Sequence, residues 1–389
     1  MNAPLKIGFL FNHDASHQVP HTIPIAASLA ARGVDVEILT SSLEQRAVAS
    51  ALLPPGAAVR FTALDTGIVA RAADRVLRHV APFRRIAILR DNLPVFARFD
   101  ALVVPETTST LLKTRFGLTK PKLIYVPHGA GDGAAGFQPA TKDFDLVLLS
   151  GPKVRDRMLA SGLITGQGHA VVGYPKFDLA DAGTARRFFD NDKPTVLYNP
   201  HFNPRLSSWY PFGRKILRYF AAQDRFNLIF APHVMLFKRL VHTSLIHRKA
   251  GLRPGVPRDV LNSPALWIDK GSRHSVDMSY VRSADIYLGD VSSQIYEWIQ
   301  RPRPAIFFNT HKPDWRQSAD YRHWALGEVI ERFEELPAAL ERAIADPAAF
   351  ASQQAAAARE TFSIGTNPAG ERAADAILAF LKAGTAGPA

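Results

Sequence analysis

Short apolar runs alternate with amphipathic stretches along the first half of the chain. Such runs are typical of buried strands, and spacing of three to four residues between apolar positions is typical of helices. The strand-like runs are Leu5–Phe11, Val34–Thr40, Ala101–Val104, Lys122–Val126, Leu146–Leu149 and Ala170–Val172. Helical spacing occurs at Ile23–Arg32 and Lys153–Ser161. Strands that alternate with helices predict a parallel sheet covered by helices on both faces.

The same alternation restarts after a polar stretch at Asp178–Pro194. Strands are predicted at Thr195–Tyr198, Asn227–Ala231, Asp285–Leu288 and Ala305–Phe308, and helices at Trp209–Ala222, Val276–Arg282 and Gln294–Gln300. An alanine-rich, mostly helical tail follows residue 338. We therefore predict an α/β fold with an N-terminal domain over residues 1–185, a C-terminal domain over 186–337 and a helical segment over 338–389.

Composition excludes several classes of protein. The 389 residues include no cysteine, which removes disulfide scaffolds, thiolate metal sites and cysteine nucleophiles. With 47% hydrophobic and 21% charged residues the chain is not disordered as a whole. No apolar stretch reaches eighteen residues, so we expect a cytoplasmic protein. Its net charge of +12 favours acidic substrates or peripheral contact with an anionic membrane face.

The first candidate site is the loop after the run Lys122–Val126. His128 leaves this strand and enters a glycine-rich segment that contains Gly129, Gly131 and Gly133. Ligands of open α/β sheets bind beyond the carboxyl ends of strands. Glycines let backbone N–H groups approach phosphate oxygens, and a histidine can accept a proton from a hydroxyl at neutral pH. Residue types alone leave a purely structural turn as the alternative.

Two further strand ends carry candidate residues. His233 follows the strand at Asn227–Ala231 and repeats the Pro-His pair of the first loop. Asp290 and the pair Ser292 and Ser293 lie between a strand and a helix, where hydroxyls and free N–H groups bind anions. An ordinary serine N-cap is the alternative. Glu297 lies one turn later, positioned either to bind ribose hydroxyls or to face solvent.

Other motifs are missing or point to contacts outside the site. The sequence has neither the dinucleotide fingerprint nor the P-loop, and no closely spaced His and carboxylate cluster, so neither a cofactor nor a metal is predicted. Basic residues form two blocks, the first with Arg71, Arg75, Arg78, Arg84, Arg85 and Arg90, the second with Lys238, Arg239, Arg248, Lys249 and Arg253. They suit an anionic membrane better than nucleic acid, because aromatic stacking residues are not interleaved with them.

These motifs, in this order, resemble the CDP-glycerol glycerophosphotransferase family, the teichoic-acid polymerase-like transferases of GT-B fold. The segment Ser283–Trp298 resembles the family's pattern of Ala-Asp, an apolar strand, Asp, any residue, Ser-Ser and a later acidic residue. Gly173–Asp178, Val196–Phe202 and Val126–Gly129 resemble three further family segments. The likeness covers roughly residues 120–310 and implies two Rossmann-like domains that face a cleft.

The resemblance also implies roles for individual residues. His128 would be the acceptor-side base and His233 a catalytic contact to the donor phosphate. Donor binding would fall to Gly129, Asp290, Ser292, Ser293, Glu297 and His201. The chain departs from the family at Ala130–Asp132, where Thr-Pro often follows His-Gly, and at Lys176, His201 and Glu297, where Arg, Thr and Asp are common.

The resemblance implies a transferase that moves glycerol phosphate from a CDP-activated donor to a hydroxyl of a cell-surface glycan or lipid-linked acceptor. A GT-B glycosyltransferase that uses a nucleotide-sugar is the alternative, since the sequence does not fix the donor. A non-catalytic sugar- or polymer-binding protein of the same fold ranks third, because His128 and His233 are both present.

Overall fold

The computed structural model describes residues 4–13, 16–67, 83–132, 136–180, 186–244 and 249–385. The described chain forms two compact units. Unit 1 comprises Met1–His128, Ala135–Ala182 and Glu360–Ala389, and unit 2 comprises Gly129–Ala134 and Gly183–Arg359. The loop after His128 therefore belongs to unit 2, and the helical tail is shared between the units. The predicted helix with Arg71, Arg75 and Arg78 lies outside the described residues.

Unit 1 is built on a parallel sheet of seven strands in the order β3-β2-β1-β4-β5-β6-β7. The strands are β1 Lys6–Phe11, β2 Asp35–Thr40, β3 Val59–Ala63, β4 Ala101–Val104, β5 Lys122–Tyr125, β6 Leu146–Leu149 and β7 His169–Val171. The α-helices are α1 Ile23–Ala31, α2 Leu43–Leu52, α3 Phe83–Asp91, α4 Leu93–Phe96, α5 Leu111–Thr114, α6 Pro152–Ala160, α7 Lys176–Ala180 and, at the carboxyl end of the chain, α13 Ala369–Thr385. All strand runs predicted for this half are confirmed, and β3 is an additional strand at the sheet edge.

The C-terminal helix α13 completes the core of unit 1. Ala373, Ala374 and Ile377 of this helix are fully buried in one hydrophobic cluster with α1. The two helices approach so closely that a Cβ atom on Gly370 would lie 2.9 Å from the carbonyl carbon of Pro24. Asp178 accepts hydrogen bonds from the backbone N–H groups of Ala369 and Gly370, at 3.0 and 2.6 Å, and so caps α13.

Unit 2 contains a parallel sheet of six strands in the order β12-β9-β8-β13-β14-β15 and a separate antiparallel hairpin, β10–β11. The strands are β8 Thr195–Asn199, β9 Asn227–Phe230, β10 Val241–Ser244, β11 Lys249–Leu252, β12 Leu266–Ile268, β13 Ile286–Gly289, β14 Ala305–Phe308 and β15 Glu328–Ile330. The helices are α8 Arg214–Ala222, α9 Ser279–Ser283, α10 Gln294–Trp298, α11 Leu336–Ala345 and α12 Ala351–Thr361. All four predicted strands are confirmed, and the hairpin and both edge strands are additional.

Two helices of unit 2 begin later than predicted: the one predicted at Val276–Arg282 starts only at Ser279, after Met278 with a φ of 66°, and the one predicted at Trp209–Ala222 also starts late. The stretch Trp209–Ala222 begins with a wide π-helical turn at Trp209–Gly213, and the α-helix starts only at Arg214. Pro211 lies in this turn and has no N–H group to donate. The indole of Trp209 packs directly on Gly213, where a side chain would collide with it. The widened turn thus places a fully buried Trp209 against Phe230 of β9, with ring centroids 4.8 Å apart.

Among the described residues, no helix combines the length and the apolarity that crossing a membrane requires.

Candidate functional site

His128 lies in unit 1, three residues after β5, as the sequence predicts. Its Nδ1 atom is 2.7 Å from the carbonyl oxygen of Pro105, which follows β4. A carbonyl oxygen only accepts hydrogen bonds, so Nδ1 carries the proton of the neutral ring and Nε2 carries the lone pair. Burial lowers the pKa of His128, which keeps the ring neutral at pH 7. This is the hydrogen bonding that a general base needs.

Three more histidines surround His128, and our sequence analysis missed them. The ring centroid of His17 is 5.4 Å from that of His128, His21 is at 6.3 Å, and His13 is 5.2 Å from His17. Burial, followed by the charges of Lys176 and His128, lowers the pKa of His21 far below its ordinary value. The signal in the sequence was the repeat of four residues between His13, His17 and His21, directly after β1.

In unit 2, His201 and His233 follow the neighbouring strands β8 and β9. Their ring centroids are 5.3 Å apart. The Nδ1 atom of His201 accepts the backbone N–H of Asn203 at 3.0 Å, and Nδ1 of His233 accepts that of Met235 at 3.3 Å. In the neutral form, each ring therefore carries its proton on Nε2, from which it can be donated to an anion. This pattern is the reverse of that at His128.

Asp290 connects the ends of the adjacent strands β8 and β13. Its carboxylate is fully buried, and Oδ2 accepts the backbone N–H groups of His201 and Ser208 at 2.9 and 3.0 Å. Burial raises the pKa of Asp290 to about 7 although these two N–H groups act in the opposite direction. The geometry makes Asp290 a residue that fixes the position of His201, while its predicted contact with a donor stays a prediction.

Ser292 and Ser293 precede α10. The Oγ atom of Ser292 accepts the backbone N–H of Gln294 at 3.2 Å, whereas the side chain of Ser293 makes no capping bond. A Cβ atom on Gly129 would lie 3.5 Å from Oγ of Ser293. The structure thus brings together the glycine-rich loop and the serine pair, two motifs that are distant in sequence.

The loop is tied to α10 by a buried carboxylate that our sequence analysis noted only as a departure from the family. Asp132 accepts a hydrogen bond from the hydroxyl of Tyr296, and Nδ1 of His323 lies 3.9 Å from the same oxygen. All three residues are at most 5% exposed. Glu297, next to Tyr296, is 7% exposed, so the alternative of a solvent-facing Glu297 is wrong.

The described residues contain no group of three or more His, Asp or Glu side chains placed to hold a metal ion. The candidate site residues are His128 in unit 1 and, in unit 2, His201, His233, Ser292, Ser293 and the backbone from Gly129 to Gly131.

Comparison of the sequence with models of known protein families finds no match, and comparison with curated proteins finds none either. Solved structures do match. The wall teichoic acid polymerase TagF is 13% identical, with a TM-score of 0.64 over 99% of this chain and 90% of that chain. MnaA from S. aureus, solved with UDP, is 13% identical, with a TM-score of 0.63 over 99% of both chains.

A third similar structure is CalG4, the calicheamicin glycosyltransferase, which is 16% identical with a TM-score of 0.53 over 99% of this chain and 100% of that chain. Likeness at such low identity shows the fold and not the activity. The predicted fold class, an α/β protein with Rossmann-like sheets as in GT-B proteins, is thereby confirmed, and so is the structural resemblance to a teichoic-acid polymerase.

Proposed function

We propose that the protein is a metal-independent transferase that uses a nucleotide-activated donor in the synthesis of a surface glycan. The observation that carries this proposal is the opposite hydrogen bonding of its histidines. His128 bonds through Nδ1–H and keeps a basic Nε2, whereas His201 and His233 accept at Nδ1 and present Nε2–H. One arrangement suits proton removal and the other suits a bound diphosphate.

Unit 2 is the proposed donor side. Its donors are the Nε2–H groups of His201 and His233, the hydroxyls of Ser292 and Ser293, and the backbone of the loop that begins at Gly129. The helix α10 has only five residues, so its dipole is small and the hydroxyl and N–H groups contribute most of the binding. Burial and then the charge of Asp290 raise the pKa of Tyr287, and the charge of Glu297 adds a smaller effect in the same direction. The buried Glu297 is proposed to bind ribose or glycerol hydroxyls.

Unit 1 is the proposed acceptor side. With CDP-glycerol, the acceptor hydroxyl attacks the phosphorus that bears glycerol, and the bond from that phosphorus to the CMP oxygen breaks. The hydroxyl proton moves to Nε2 of His128, and CMP leaves. Catalysis rests on positioning and on proton removal. The acceptor is proposed to be a glycan or a lipid-linked saccharide, as the family resemblance implies.

A nucleotide-sugar glycosyltransferase is the second candidate, and the structural likeness to CalG4 and to UDP-bound MnaA favours it. In that reaction the hydroxyl attacks the anomeric carbon, and UDP leaves. The same histidines would serve, because both donors react at a diphosphate: the bond that breaks lies within it in CDP-glycerol and next to it in a nucleotide-sugar.

A thermal-shift screen against CMP, CDP, CDP-glycerol, UDP, GDP and UDP-sugars, with and without EDTA, tests both candidates. A ligand at 100 times its Kd adds about 2.7 kcal/mol to the free energy of unfolding. Stabilisation by cytidine ligands alone supports glycerol phosphate transfer, and stabilisation by uridine or guanosine ligands supports glycosyl transfer. No stabilisation by any of them, or a strict requirement for a metal, contradicts the proposal.

A further inference from the structure

The hairpin β10–β11 lies outside the six-stranded sheet and has two unlike faces. Val241 pairs with Leu252, and Thr243 pairs with Ala250. Direct partners across an antiparallel pair, and residues two apart along a strand, project to the same face. These four residues therefore form one face, called here the outer face. All four are exposed, Val241 to 52% and Leu252 to 68%.

The opposite face attaches the hairpin to unit 2. His242 is buried, and its Nε2 atom bonds to the carbonyl oxygen of Leu236 at 2.9 Å. Its cross-strand partner is Gly251, where a Cβ atom would lie 2.8 Å from Cγ of Pro204. Because the inner face is fixed in this way, the apolar side chains of the outer face cannot turn inward without breaking these contacts.

Leu240, which directly precedes β10, is also exposed, to 61%. A single exposed leucine is ordinary on a protein surface. Here the two large aliphatic side chains of the outer face, Val241 and Leu252, are direct cross-strand partners, and none of the residues on this face is charged. Clustered exposure of this kind marks a surface that binds something apolar.

Basic residues are frequent in the sequence on both sides of the hairpin. Between Asp224 and Asp259 the chain has no acidic residue, and its Lys and Arg residues there are Arg225, Lys238, Arg239, Arg248, Lys249, Arg253 and Arg258. Lys238 is exposed. The guanidinium of Arg253 donates to the carbonyl oxygens of Arg239 and Pro254, at 3.1 and 3.0 Å, and lies 4.3 Å from the ring centroid of Phe237. These bonds keep its charge at the base of the hairpin.

We propose that the outer face of the hairpin inserts into the interface of an anionic lipid bilayer. Aliphatic side chains partition into the boundary between headgroups and acyl chains, and flanking Lys and Arg side chains bind anionic headgroups. A nucleic acid would instead need aromatic stacking residues on this face, and the outer face has none. The proposal is independent of which nucleotide the protein binds.

The test is co-sedimentation of the full chain with vesicles. Vesicles of phosphatidylcholine with one quarter phosphatidylglycerol are compared with vesicles of phosphatidylcholine alone. The variant carries Val241→Ser and Leu252→Ser. Its matched control carries Leu43→Ser and Ile364→Ser, which remove exposed apolar side chains of unit 1 that are 84% and 70% exposed. None of the four side chains belongs to a core, so melting temperatures should stay close to that of the unchanged protein.

We expect the unchanged protein and the control to bind the anionic vesicles, more weakly as salt rises, and the hairpin variant to bind at least about tenfold more weakly. Lys238→Glu should weaken binding without changing the melting temperature. Equal binding by the hairpin variant and the control would overturn the proposal. So would absence of binding to anionic vesicles by the unchanged protein, including the case in which it binds a nucleic acid instead.

Discussion

Gly131 packs against Ser293 so closely that a Cβ atom on the glycine would lie 3.0 Å from Cβ of the serine. This distance is shorter than an ordinary contact between carbon atoms, which is about 3.5–4.0 Å. The glycine-rich loop thus follows the surface of the segment before α10. It does so because residue 131 has no side chain.

Replacing Gly131 by Ala should therefore weaken donor binding. The added methyl group must displace either the loop or Ser293, at a cost of about 1–3 kcal/mol. Gly136→Ala is the matched control, because no atom lies within 4 Å of its Cβ position. Calorimetric titration with the nucleotide that stabilises the protein checks this prediction. Unchanged affinity for Gly131→Ala would remove the loop from the donor site.

Tyr296→Phe should reduce both stability and donor affinity, because it leaves the buried carboxylate of Asp132 without its hydroxyl partner. The control is Tyr280→Phe, which removes a similar bond of 2.6 Å to Asp269 in the same unit. A hydrogen bond to a charged group contributes about 1.5–3 kcal/mol to the free energy of unfolding. Both variants should melt at lower temperature, but only Tyr296→Phe should also bind the nucleotide more weakly. Equal nucleotide affinities for the two variants would reduce Asp132 to a structural role.

His201→Ala and His233→Ala should each weaken binding of the diphosphate. Loss of one hydrogen bond to a charged group corresponds to about 10–150-fold in Kd. His274→Ala, which changes a histidine elsewhere in unit 2, should leave the Kd unchanged. The nucleoside monophosphate is titrated for comparison. Because it lacks one of the phosphates, the two variants should lose less affinity for it than for the diphosphate. Similar losses for all three variants would point to a general effect on the fold.

Stability should fall as the pH falls below about 6.5. Burial lowers the pKa of His21, His128 and His201, so the unfolded chain takes up protons that the folded chain does not. Each such histidine costs up to about 1.4 kcal/mol of unfolding free energy per pH unit below its unfolded pKa. Thermal unfolding at pH 7.5 and 5.5, at equal ionic strength, should give a lower midpoint at pH 5.5. An equal or higher midpoint would contradict this assignment.

Asp290 changes the pH dependence of stability in the opposite direction. Its pKa is raised to about 7, so between about pH 4 and 7 the folded chain holds a proton that the unfolded chain releases. Its contribution to stability therefore grows as the pH falls and offsets part of the loss caused by the histidines. Asp290→Asn keeps an acceptor for the N–H groups of His201 and Ser208 but cannot titrate. Stability should therefore fall more steeply with falling pH in this variant than in the unchanged protein. An unchanged pH dependence of the melting temperature would contradict the raised pKa.

The sequence predicts the central strands and the edge strand β7, but it misses the other three edge strands of the two parallel sheets, β3, β12 and β15. Buried parallel strands such as β8 and β13 are continuous apolar runs, because both faces of the sheet are covered. The edge strands β12 and β15 have only three residues each and are largely half-buried, so neither length nor pattern distinguishes them from loops. The hairpin β10–β11 lay inside a stretch that we interpreted only as a basic block.

The candidate site is predictable as far as each residue is fixed by its own strand end. Asp290 and His233 follow from their position after β13 and β9, whereas His201, after β8, was expected only from the family resemblance. The hydrogen bond between Asp132 and Tyr296 joins residues 164 positions apart in the sequence, so no local sequence pattern predicts it. The burial of Glu297 likewise depends on packing around α10 and not on helical spacing.

The central claim is that Nε2 of His128 accepts the proton of the acceptor hydroxyl. The direct measurement is the release of CMP from CDP-glycerol, or of UDP from a UDP-sugar, by His128→Gln and by His169→Gln. His169 is the matched control, because its Nδ1 atom is also 2.7 Å from a backbone carbonyl oxygen, that of Thr165. We predict a loss of about 10²–10⁴-fold in kcat for His128→Gln, with unchanged nucleotide Kd, and full activity for His169→Gln. Near-normal turnover by His128→Gln would show that another group takes the proton.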